Sequence, residues 1–199
     1  MWFVEAVGLA AGLLGVVSSL PQTVKVLKDG HTVGVSVSSW VIIFCTYAAW
    51  FAFGLRIGSF SQWVTNLLAI MLASVLLYVL LKGRMVPLLR VLLMLFAAAV
   101  MMLVVFVLPD GFVGLFLGLF LFSRVPQIMS SFKSWRLGRV TNVSLLTFGL
   151  MVVSNVLWIV YGVLFGAAVI VVMPIIALTL SGLVLVFEVL AGRKAKAVF

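Results

Sequence analysis

Charge is the scarcest property of this chain. Of its 199 residues 9% are charged, four are acidic, one is histidine and one is cysteine, against 66% hydrophobic. So few polar residues cannot build the outer shell of a soluble domain of this length, which makes the chain an integral membrane protein. A single cysteine, Cys45, excludes an internal disulfide. His31 falls in a loop and Cys45 inside an apolar run, so they cannot be partners across a span as a nucleophile–base pair. Without clustered metal ligands or a phosphate-binding loop, no enzyme, no metal and no cofactor is expected. The four acids, Glu5, Asp29, Asp110 and Glu188, stand at or near the ends of apolar runs. No carboxylate lies where a proton-coupled carrier would want one, deep in the membrane.

Hydrophobic runs long enough to cross about 30 Å of hydrocarbon occur seven times. They are read at 4–27, 35–54, 60–82, 86–107, 111–132, 141–165 and 168–190. The breaks hold turn residues or charge (KDGHTVG, GLRIGS, KGRM, LPDG, KSWRLGR), and only Gly166 marks the last. Residues 2–20 are too long for a signal-peptide core and carry Glu5 in place of a basic start, so a retained first span is expected. The net charge of +9 sits in short clusters between spans, the pattern of topology signals and not of a nucleic-acid surface. Eleven basic residues fall on one side: Lys25, Lys28, Lys82, Arg84, Arg90, Lys133, Arg136, Arg139, Arg193, Lys194 and Lys196. Arg56 stands alone on the other. The positive-inside rule then puts the N-terminus outside a cell membrane and the C-terminus in the cytoplasm.

The chain repeats itself. SLPQTVKVLK at 19–28 aligns with RVPQIMSSFK at 124–133, and Trp50-Phe51-Ala52-Phe53-Gly54 with Trp158-Ile159-Val160-Tyr161-Gly162. Both copies end on Gly-Arg. The expected architecture is all-α: two parallel three-helix units, 1–85 and 109–199, joined by a linker helix at 86–108. Proline removes a backbone donor and kinks a helix. Pro21 and Pro126, each followed by a glutamine (Gln22, Gln127) able to serve freed backbone groups, are expected as paired hinges.

On these residues the chain resembles the PQ-loop membrane proteins, and within them the SWEET and SemiSWEET sugar facilitators. That resemblance implies a bidirectional facilitator that moves a small neutral polar solute, a mono- or disaccharide, by alternating access without ion coupling. Two other readings stay open: a PQ-loop carrier of amino acids or other charged small solutes, and a non-transporting receptor or scaffold of the same fold. The partners implied are the solute and the lipid bilayer, without nucleic acid; assembly into a homo-oligomer is left open.

Polar groups inside spans are costly and mark sites. Asn66 and Trp50 fall at similar depth on adjacent helices, where an indole face and a carboxamide suit a polyol. In SWEET-like proteins a similar pair contacts sugar. In the second copy Trp158 recurs but Pro174 replaces the asparagine, and Asn155, one turn before Trp158, is the candidate substitute amide. Arg124, two residues before Pro126, has three readings: snorkelling to the cytoplasmic interface, pairing with Glu188, or serving as a cavity charge. Gly8/Gly12 and Gly114/Gly118 read as close helix contacts.

Overall fold

The computed structural model describes residues 2–29, 37–83, 87–138 and 145–196. Within these, the side chains of 21–23, 25–29, 83, 123–124 and 194–196 lie outside the description. Pro21, Gln22 and Arg124 therefore have a described backbone only. Seven helical spans are long and apolar enough to cross a membrane. They are α1 (Trp2–Asp29), α2 (Val37–Ile57), α3 (Phe60–Gly83), α4 (Leu88–Val107), a composite fifth span, α7 (Leu145–Phe165) and α8 (Ala168–Lys196). The fifth span joins α5 (Asp110–Gly118), a 3-10 segment (Leu119–Arg124) and α6 (Val125–Leu137). The chain is a multi-pass all-α membrane protein, as hydrocarbon demands of a backbone that must pair all its polar groups internally.

Two helix ends use the same device. Gly58 and Gly166 take φ of 69° and 80°, a left-handed conformation that only glycine adopts without strain. The next amide then turns back, Ser59 N–H to Gly54 O and Ala167 N–H to Gly162 O, each at 3.0 Å. These bonds satisfy carbonyls the helices would otherwise leave open. The break at Gly166, weakest in the sequence, is thus as tight as its charged counterpart.

Helix contacts close a ring. α3 meets α1 and α2, α1 meets α7, α7 meets α8, α8 meets the fifth span, and the fifth span meets α2. Three pairs of opposite walls follow: α3 faces α8, α2 faces α7, and α1 faces the fifth span. α4 packs against α2. With lipid as apolar as leucine, close approach rather than hydrophobic transfer holds such bundles together. Ala48, Ala49 and Ala52 on α2 are buried within 2% exposure, so neighbouring helices can come in close. Toward the end where α1 stops, Trp40 and Phe44 pack with Leu76, Leu77, Leu80 and Ala98. Toward the end where α1 starts, here the N-terminal side, Ala52 and Phe53 pack with Val105, Val113, Tyr161 and Ile170.

The two Pro-Gln helices differ. α1 is assigned as one unbroken helix past Pro21. The fifth span instead tightens to 3-10 geometry just before Pro126, and Val125 N–H bonds to Phe122 O. That carbonyl is the one Pro126, four residues on, cannot serve. A tightened turn supplies the missing donor. Gln127 was expected to do so; its Nε2 is instead directed at Ser131 Oγ, 3.5 Å away on the same helix.

Candidate functional site

Between the walls lies a cavity of about 270 Å³. Its lining is ordered by the repeat. α2 contributes Ile43, Thr46, Tyr47 and Trp50; α7, opposite, contributes Met151, Ser154, Asn155 and Trp158, each 108 residues later. α3 contributes Gln62, Thr65, Asn66 and Ala69; α8 contributes Ile170, Met173, Pro174 and Ala177, again 108 residues later. α1 and the fifth span add Gly12, Gly15 and Val16 against Leu117, Phe120 and Leu121, 105 residues apart. Trp50, Asn66, Trp158 and Asn155 therefore share one chamber.

The W-x-x-[FY]-G stretches hold that chamber in shape. Trp50 meets the Phe53 ring edge-to-face at 5.7 Å, and Trp158 meets Tyr161 likewise at 5.5 Å. Such pairs add stabilisation beyond the area they bury and fix the indoles at i and i+3 of one helix. The closing glycines let the next helix in. A Cβ at Gly54 would stand 2.6 Å from Trp63 N, and one at Gly162 would stand 2.7 Å from Ile170 C. Gly8 and Gly12 do the same for α1: a Cβ there would fall 2.2 Å from Ser61 Oγ and 2.4 Å from Thr65. The contacts at Gly114 and Gly118 are looser, at 3.4 Å.

Hydrogen bonding gives the chamber a polarity. Asn66 Nδ2 donates to Gln62 O at 2.7 Å, and Asn155 Nδ2 to Met151 O at 2.8 Å. Both of these bonds stay within one helix. Thr46 and Thr65 hydroxyls likewise donate to carbonyls four residues back, and Ser154 donates to Ala11 O at 2.8 Å. The side-chain oxygens remain as acceptors, and each asparagine keeps a second Nδ2 proton as a donor. The cavity therefore suits a solute whose groups both donate and accept, as hydroxyls do. No charged side chain lines it among the described residues.

On the N-terminal side the chamber is sealed by a cluster that sequence reading missed. Tyr161 Oη stands 2.6 Å from Ser59 Oγ and donates toward Glu5 Oε1 at 3.3 Å. Glu5 Oε2 accepts from Ser61 N–H at 2.7 Å, placing a carboxylate at the N-terminus of α3, where the helix dipole favours it. Ser59, Ser61 and Tyr161 are fully buried. The only hint in sequence was that the second copy has tyrosine where the first has Phe53. Nearby, Arg56 pairs with Asp110 and donates to Leu108 O at 2.7 Å, tying α2 to the α4–α5 corner.

Of the hinge residues, Pro126 is exposed and Gln127 half-buried, and neither lines the cavity. Glu188, expected near the inner end of the last span, is buried at 7% exposure. Its pairing with Arg124 rests on a side chain outside the description.

Comparison with known proteins fits this geometry. Residues 3–63 match the PQ loop repeat family, a span that contains Pro21-Gln22, the Trp50–Gly54 stretch and the first turn of α3. The fold matches that of a eukaryotic SWEET transporter at a TM-score of 0.76, with 15% sequence identity, over 96% of this chain and 99% of that one. No curated protein sequence matches. The described residues form seven membrane-spanning helical segments around a central chamber that no charged side chain among them lines. Residues 3–63 of the chain carry a PQ loop repeat, and its fold is that of a SWEET transporter.

Proposed function

We propose that this protein is a facilitator that carries a small neutral polar solute, a sugar in the first instance, across a membrane by alternating access. The observation that supports this reading is the central chamber itself. Two tryptophans and two asparagines meet in it without a charged side chain among the described residues. Indole faces suit the C–H surface of a ring, and amide oxygens suit its hydroxyls. A charged or zwitterionic solute would lose its hydration there without a counter-charge, at a cost of several kcal/mol per ion. An amino-acid carrier is therefore less well supported than a sugar carrier.

In this reading the N-terminal seal over Tyr161 closes one face, and the composite fifth span supplies the moving part of the other. Pro126, with its 3-10 segment, is the proposed hinge, and Pro21 its counterpart in α1. The test is solute counterflow in liposomes with no ion gradient, repeated after an imposed pH step. Counterflow of neutral sugars that the pH step leaves at equilibrium is the expected result. Accumulation above equilibrium after the step would refute uncoupled transport. Pro126→Ala should slow exchange and leave binding intact; exchange at the parent rate would reduce the proline to architecture.

Orientation follows the basic residues. Asp110, whose side chain is 94% exposed, should as Asp110→Cys react with an impermeant thiol reagent from outside intact cells. Arg136→Cys, in α6 at the opposite end, should not. Reversed labelling would overturn the N-terminus-out placement.

A further inference from the structure

Equivalent positions in the two halves line the same chamber, so the walls can be compared residue by residue. α3 and α8 face one another, and the comparison is one-sided. Gln62, Thr65 and Asn66 on α3 oppose Ile170, Met173 and Pro174 on α8 at matched positions, while Ala69 and Ala177 agree. Polar groups thus fill one wall and hydrocarbon the other. The α1 and fifth-span walls reinforce the same division. Gly12 and Gly15 of α1, next to α3, add no side chain to the chamber, whereas Leu117 and Phe120 of the fifth span, next to α8, add hydrocarbon. On the α2 and α7 walls Trp50 and Trp158 are identical, Thr46 and Ser154 agree in kind, and Tyr47 is matched by Asn155. Both of these walls carry polar groups, so the one-sidedness belongs to α3 and α8.

The polar wall also holds an open valence. Gln62 is 4% exposed, and its Oε1 has no hydrogen-bond partner among the described residues. A buried acceptor in that state is costly unless something in the chamber satisfies it. On the opposite wall Pro174 has no N–H to offer, and the Ile170 carbonyl it cannot serve lies against Gly162, within 2.8 Å of where a Cβ would be. That wall turns a methylene ring and a thioether to the solute.

We infer that the chamber selects a two-faced solute, with hydrogen-bonding groups along one edge and hydrocarbon along the other. A deoxy sugar or other methyl-bearing polyol has this form; a sugar with hydroxyls all round does not. The inference rests on the proposal that the chamber binds the transported solute, and it specifies which neutral solutes it prefers. An all-round hydroxylated sugar would bury at least one hydroxyl against Ile170, Met173 and Pro174 with no partner for it. A methyl group at that edge fits the same surface, and a methyl's worth of complementarity discriminates roughly tenfold or more.

The test compares a hexose with its 6-deoxy counterpart by direct binding, read as quenching of tryptophan fluorescence in purified protein, and separately by counterflow. The parent protein should bind the 6-deoxy sugar roughly tenfold more tightly. Pro174→Asn, which installs on α8 the amide found at Asn66, should bring the two affinities close to parity. Pro174→Ala, apolar like the parent and equally free of the proline ring, should keep the preference and so separates polarity from helix geometry. Met173→Gln gives a second polar variant should Pro174→Asn fold poorly. A preference that survives both polar substitutions would overturn the inference, as would equal binding or no binding of the two sugars. Methyl-selective binding without counterflow would leave this inference standing and sink the transport reading; counterflow without selectivity would do the reverse.

Discussion

Gly54→Ala and Gly162→Ala should each lower the thermal unfolding midpoint of the detergent-solubilised protein by several degrees, with larger side chains preventing accumulation of folded protein. The added Cβ at Gly54 would stand 2.6 Å from the backbone nitrogen of Trp63, and that at Gly162 2.7 Å from the backbone carbon of Ile170. Main-chain atoms in a helix cannot swing aside as a side-chain tip can, so α3 or α8 must move bodily. Overpacking of this kind costs about 1–3 kcal/mol. Both positions also sit in the turns that end at Gly58 and Gly166, where displacement would break the bonds from Ser59 and Ala167 to the same glycine carbonyls. Gly149 and Gly182 provide the control, since nothing lies within 4 Å of a Cβ there. Midpoints unchanged in the first pair, or lowered equally in the second, would show that close helix approach is not what these glycines provide.

For Asn66→Ala we expect a ten- to hundredfold loss of solute affinity in a protein that still folds. Its Nδ2 bond goes to a carbonyl of its own helix, so truncation leaves no neighbouring helix unpaired. What is lost is an amide oxygen facing the chamber, and a missing ligand hydrogen bond with its partner stranded costs roughly 1–3 kcal/mol. Asn155→Ala should weaken binding comparably, because that amide is held in the same manner to Met151 O and lines the α7 wall of the same chamber. Trp50→Ala and Trp158→Ala should match them by removing stacking surface. Titration calorimetry or quenching with the transported sugar decides the matter. Parent affinity in Asn66→Ala would remove this chamber as the binding site.

The spans were legible because bilayer thickness fixes helix length and leaves little freedom in where a run must end. Expected 60–82 became Phe60–Gly83, and expected 86–107 became Leu88–Val107. Trp50, Asn66, Asn155 and Trp158 could be placed in one chamber because helical period and depth are local properties. The opposition of α3 and α8 could not, since it depends on the order in which helices close the ring. Nor could the seal: Glu5 reaches Ser61 and Tyr161 across 56 and 156 residues, a separation with no periodic trace. The 3-10 segment escaped as well. Pro21 and Pro126 look alike in sequence, yet only the second is preceded by a tightened turn.

Arg56 has a mechanical consequence. It grips the Leu108 carbonyl and Asp110 at once, so α5 starts from a pinned point beside α2 and the end of α4. α5 has nine residues and α6 thirteen, with the 3-10 segment between them. If Pro126 hinges as proposed, the span works as a lever clamped at one tip, with its fulcrum partway along. At 1.5 Å of rise per residue the free arm is about 20 Å long, so a ten-degree swing at the fulcrum carries its far tip about 3 Å. Such a displacement is on the scale of a hydroxyl group, and it would leave the clamped arm and the seal above the chamber where they are.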